Sequence, residues 1–174
     1  VVNQRGGVRP NTVREVQRAI AELGRQASQV RLVGRRYAFD LVMQSPPRFQ
    51  SVVQSAVDRA IAQVYPAQVR MRYRLDDHAD VERVVNELER VKRAGSHGVI
   101  LKAPDDPRVR ESIADLAGVG ISVVTLVTDV LQSERIGYVG MDNSAAGATA
   151  AQLVALVLGE QTGAVLVNAS SDLF

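Results

Sequence analysis

The sequence predicts an α/β protein built on a doubly wound parallel sheet, and three observations carry that expectation. Short runs rich in β-branched or aromatic residues recur from Tyr37 onward, helical patterns separate them, and Pro, Gly or Asp marks the joints. Strands joined by helices at this spacing need right-handed crossovers, which make the strands parallel and cover both faces of the sheet. The 174 residues suffice for one domain with a real core, or for one domain plus part of another.

The first element is expected to be helical. Val13, Val16, Ile20 and Leu23 recur at spacings of three or four, Asn11 or Thr12 can cap the start with Pro10 just outside, and Gly24 is a stop. So short an amphipathic helix cannot fold alone and has to pack on something else. Residues 24–36, GRQASQVRLVGRR, show no strong periodicity and read as a linker.

Strands are then expected at 37–43 (YAFDLVM), 68–73 (QVRMRY), 98–102 (GVILK), 121–127 (ISVVTLV) and 136–141 (IGYVGM). The helices between them run from Phe49 to Val64, with Val52, Val53, Ala56, Val57, Ala60 and Ile61 on one face; from Ala79 to Ala94; and from Pro107 to Ala117. An alanine-rich helix, NSAAGATAAQLVALVLG, follows with Asn143 or Ser144 at its start, and GAVLVNAS reads as a further strand. The chain is therefore expected to stop part-way into another α/β unit. Ligands of open α/β sheets bind beyond the carboxyl ends of the strands, which directs attention to the loops after Gln44, Lys102, Val127 and Met141.

Composition narrows the function. The absence of cysteine removes disulfides, thiolate zinc sites and cysteine nucleophiles, and no run reaches the roughly 20 apolar residues of a membrane helix. A cytoplasmic location is the simplest expectation. The net charge of +2 conceals a basic head: residues 1–36 hold eight arginines against two glutamates, so the remainder of the chain is mildly acidic. Such a head suits contact with nucleic acid.

Catalytic signals are missing. His78 and His97 lie in polar turns, neither at metal-ligand spacing from a carboxylate or another histidine, and neither a G-x-S-x-G elbow nor a phosphate-binding glycine fingerprint occurs. No metal, no cofactor and no enzymatic activity are expected. The candidate ligand contacts are Ser45 and Phe49 after the first strand, Asp129 after the fourth and Asp142 after the fifth. Carboxylates accept hydroxyl hydrogen bonds and an aromatic ring covers the apolar face of a sugar, so these residue types suit a polyol. Asn143 serves equally as a cap or a ligand contact, Phe49 equally as a core residue, and the pairs Asp76–Asp77 and Asp105–Asp106 read as turn or capping residues.

The opening VVNQRGGVRPNTVREVQRAIAELG resembles the end of the helix-turn-helix headpiece of the LacI family of bacterial transcription regulators. HGVILKAPDD, VVTLVTDV and YVGMDNSAAGATAAQLV resemble the effector-binding body that this family shares with periplasmic sugar-binding proteins. The resemblance implies a partial helix-turn-helix headpiece at 1–24, a hinge at 25–36, the first lobe of a periplasmic-binding-protein-like type I body at 37–141 and the start of a second lobe at 142–174. It implies phosphate contacts by Asn3 and Thr12, added salt-sensitive affinity from Arg5 and Arg9, and Leu32 as the nearest counterpart of a minor-groove wedge. Base-reading residues would precede Val1. Ser45, Phe49, Asp129 and Asp142 would line one wall of an effector cleft whose other wall is mostly absent, so weak effector binding or none is expected of this chain.

Three departures stand out: no proline in the hinge, PPRF in place of an asparagine-and-aromatic pattern after the first strand, and Val130 where ribose-type binders carry arginine. The implied function is a homodimeric regulator that binds operator DNA and responds to a sugar-like metabolite. The rival expectation is a transporter's solute-binding receptor without DNA activity, and the third is an enzyme whose catalytic groups lie elsewhere.

Overall fold

The computed structural model describes residues 10–32, 35–78, 80–159 and 163–167. Its elements in chain order are α1 (Pro10–Leu32), β1 (Arg36–Gln44), α2 (Pro47–Gln63), β2 (Gln68–Asp76), α3 (Val81–Arg93), β3 (Gly98–Lys102), α4 (Pro107–Gly118), β4 (Ser122–Leu126), β5 (Gly137–Val139) and α5 (Asn143–Leu158). The five strands form one sheet in the order β2-β1-β3-β4-β5. The β1–β3, β3–β4 and β4–β5 pairings are all parallel, so the expected α/β class stands. Chain contacts group Val1–Tyr37 with Ser55–Arg70 and, separately, Ala38–Gln54 with Met71–Phe174.

In the larger group, register explains the core. Val42 pairs with Leu101, and Val99 and Leu101 pair with Val123 and Thr125, so these side chains share one face of the pleat. The same face carries Asp40 and Gln44. Val84, Leu88 and Val91 of α3 and Val109, Ile113 and Leu116 of α4 pack with its apolar members into a single cluster. Their spacings of three and four put each set on one helical stripe.

Both helices have well-defined starts. Asp80 caps α3 by accepting the amides of Glu82 and Arg83, and Asp106 caps α4 ahead of Pro107 by accepting the amide of Arg108. Gly95, at φ +63°, turns the chain out of α3 in a conformation that suits glycine.

Two local expectations, on the first helix and on residues 163–167, are corrected. The first helix begins at Pro10, so Asn11 and Thr12 lie within its first turn, and it continues through Gly24 to Leu32. One glycine costs a helix about 1 kcal/mol relative to alanine, and the good helix formers around it, among them Ala21, Glu22, Leu23, Gln26 and Ala27, support propagation. The apolar face of α2 contains no fully buried side chain, and Val52 is 60% exposed. Residues 163–167, expected to be a strand, pair with none among the described residues and remain exposed. Hydrophobic sequence favours a strand only where a neighbour supplies the ladder.

Candidate functional site

The parallel strands end on one edge of the sheet, and the loops beyond that edge are stitched together by hydrogen bonds. After β1, the Gln44 side-chain amide pairs both ways with the Asp80 backbone at 2.8 Å, and the Ser45 amide donates to Asp76 O at 2.9 Å. The Gln50 amide group donates at 2.7 Å to both Ser45 O and Asp76 O. Ser45 is thereby buried in the junction, while Phe49 in the first turn of α2 is partly exposed. Lys102, closing β3, donates from Nζ to Gln44 O at 2.9 Å, and burial pushes its pKa down.

Beyond β4 and β5 the loops form a concavity of about 610 Å³ lined by Thr128, Asp129, Leu131, Tyr138 and the run Gly140–Ser144. Asp129 is the most heavily engaged acid there. Its Oδ1 accepts from Thr125 Oγ1 at 2.8 Å and from Arg135 Nε, and its Oδ2 accepts from Arg135 Nη2 at 2.6 Å. The hydrogen bond from Arg135 is the main cause that holds the Asp129 carboxyl below the usual carboxylate range. The Val130 backbone amide adds a further hydrogen bond, so protein groups hold this carboxylate from several sides.

Asp142 has a local duty as well. Its Oδ1 accepts the Ala145 amide at 2.9 Å as the N-cap of α5, the role expected of Asn143 or Ser144. The structure therefore brings Asp129 and Asp142 onto one concavity, whereas Ser45 and Phe49 do not line it.

Arg135, Thr125 and Tyr138 were not apparent as site residues in the sequence. Arg135 reaches Asp129 across an irregular loop, for which no periodicity gives a cue. Val130, standing where the resemblance expects arginine, is fully buried. The guanidinium beside Asp129 comes from Arg135 instead.

Of the expected DNA contacts, Asn3, Arg5 and Arg9 lie outside the described residues. Thr12 is exposed in the first turn of α1, and Leu32 is the last residue of that helix. His78 does have carboxylate neighbours, contrary to the sequence reading: its ligand atoms and those of Asp76 and Asp77 lie within 4.8 Å of one another. Asp76 is already occupied, accepting the His78 amide and the Arg83 guanidinium, both at 3.0 Å, so the trio reads as a turn. Asp106, as a cap, fulfils the expectation for the second aspartate pair. Among the described residues, no helix is long and apolar enough to cross a membrane.

Comparison with known proteins places this geometry. The family model described as a periplasmic binding protein domain matches residues 41–173. The chain belongs to that family. Among solved members of this fold, a glucose-galactose binding protein from Geobacillus stearothermophilus is 25% identical, with a TM-score of 0.64 over 71% of the chain and 43% of that protein. An arabinose binding protein from the same organism is 23% identical, with a TM-score of 0.54 over 71% and 41%. The sugar-binding protein of a sugar ABC transporter from Bacillus halodurans is 20% identical, with a TM-score of 0.57 over 72% and 42%. The chain thus spans less than half the length of these solved structures. No curated protein sequence matches it.

Proposed function

We propose that the chain supplies one wall of a sugar-binding site and belongs to a solute-binding receptor of the kind that serves sugar transporters. The carrying observation is the concavity beyond β4 and β5, which Asp129 and Asp142 both line. In this reading a sugar hydroxyl shares the Asp129 carboxylate with its protein partners, and Arg135 and Thr125 keep that carboxylate ionised and oriented. The sugars bound by the structural neighbours support this ligand class, and the reading involves no catalytic step. It is tested by titrating the chain with D-galactose, D-glucose and L-arabinose while following assigned backbone NMR shifts. Saturable shifts confined to 127–144, and lost in Asp129→Asn, are expected. Shifts absent for all three sugars would sink it.

A second reading, a cytoplasmic, homodimeric LacI-type regulator with a headpiece at 1–24, a hinge at 25–36 and lobes at 37–141 and 142–174, draws on the head of the chain. The LacI-like text at 1–24 and the exposed arginines Arg14 and Arg18 on α1, whose first turn carries no acidic residue, favour it. In this reading Asn3, Arg5, Arg9 and Thr12 meet phosphates and Leu32 enters the minor groove. Fluorescence anisotropy on duplex DNA distinguishes the two. The regulator reading expects log affinity to fall linearly with log salt and to weaken in Arg14→Ala/Arg18→Ala. Affinity indifferent to salt excludes it.

A further inference from the structure

The chain leaves β4 through a strained turn. Val127 has φ +66°, a left-handed conformation unfavourable for a β-branched residue, and the Thr128 amide donates back across it to Leu126 O at 2.7 Å. The result is a γ-turn of the rare, positive-φ kind. Such strain persists only where the surroundings over-determine it.

Two contacts do so here. The Val127 amide donates to Val139 O at 2.8 Å, which carries the turn along with β5. The Val127 carbonyl lies 2.8 Å from the Tyr138 hydroxyl, and that same hydroxyl lies 2.7 Å from Met141 O. One proton serves both carbonyls, so a single phenol spans the two loops. Gly140 makes room for it: a Cβ at that position would stand 2.2 Å from the hydroxyl oxygen.

We propose that Tyr138 is a positioning residue whose hydroxyl, seated over Gly140, ties the Val127 turn to Met141 and so sets the separation of the Asp129 and Asp142 carboxylates. Asp129 follows the turn by two residues and Asp142 directly follows Met141, so the tie joins the two stretches of backbone that carry the acids. This rests on the reading of the concavity as a sugar site, although the tie can be measured without any ligand.

The test compares wild type with Tyr138→Phe, which removes the hydroxyl and keeps the ring, and with Gly140→Ala, which keeps the hydroxyl and fills its seat. Amide hydrogen exchange is followed by NMR. Loss of the shared hydrogen bond is expected to speed exchange at Val127 and Thr128 roughly tenfold in both variants, with β3 amides unchanged. Rates at Val127 and Thr128 within about twofold of wild type, or an equal acceleration at β3, would overturn the proposal. D-galactose is then added as the probe. If wild type binds it, Tyr138→Phe is expected to weaken binding about tenfold, and equal affinity also overturns the positioning role. If wild type shows no shifts with D-galactose, D-glucose or L-arabinose, the sugar reading fails, and the exchange rates still decide the tie.

Discussion

Asp40 sits in the middle of β1 with no solvent exposure, where a lone carboxylate would be costly. Burial pushes its pKa up, and hydrogen bonds from Arg72 and Arg74 outweigh burial, so the group lies below the usual carboxylate range. Arg72 approaches with Nη2 at 2.5 Å from Oδ2, Arg74 with Nε at 2.8 Å from Oδ1, and Arg74 goes on to Glu87 at 3.0 Å. Because the folded pKa is the lower one, the stabilisation is fully present above the unfolded value of about 3.9 and is lost as pH falls through the folded value. Asp40→Asn strips Arg72 of its charged partner, leaves Arg74 with Glu87 alone, and is expected to cost about 3–5 kcal/mol at neutral pH, read as a drop in the urea midpoint. Below about pH 4 the gap between variant and wild type should narrow. Stability curves that stay parallel down to pH 2 would contradict the pairing. None of this network was legible in the sequence, because Asp40 and Arg72 are distant in the chain and meet only through strand pairing.

At the scale of elements, α5 and its cap separate stability from binding. Asp142 both caps the helix and faces the concavity. Asparagine caps about as well as aspartate but carries no charge. Asp142→Asn is therefore expected to keep the thermal midpoint while lowering sugar affinity, and Asp142→Ala is expected to lose about 1 kcal/mol of stability as well. Equal sugar affinity for wild type and Asp142→Asn would leave Asp142 a cap alone. α3 behaves differently, since Leu88 lies in the core at 1% exposure. Leu88→Ala should cost about 2–5 kcal/mol in urea unfolding without a specific effect on binding, and a loss under 1 kcal/mol would show that the site collapses around the void. The expected ranges for α3, β3 and α4 agree closely with those observed, because local periodicity and capping residues determine them. The extent of α1 and the fate of residues 163–167 were not legible, since a glycine does not force a stop and a strand needs a neighbour.

At the scale of the molecule, α5 and the segment after it expose a large apolar surface. Leu156 is 79% exposed, Val157 85% and Leu166 94%, well beyond the isolated apolar residues found on ordinary surfaces. The 174-residue chain is expected to self-associate in sedimentation experiments, and Leu156→Lys combined with Val157→Lys is expected to reduce that association. A monomer at all concentrations would show that this surface tolerates water.

By itself the sequence determined the alternation of strands and helices, the parallel α/β class, the start of α4, and the strand-end loops as the place to look. These depend on residues within a few positions of one another. Only the tertiary structure decided that β1 lies between β2 and β3, that Asp40 meets Arg72 and Arg74, that Arg135 rather than residue 130 holds Asp129, and that Tyr138 spans two loops. The first two depend on strand order and register, which bring distant residues within hydrogen-bond reach, and the last two on the path of irregular loops, which no periodicity encodes.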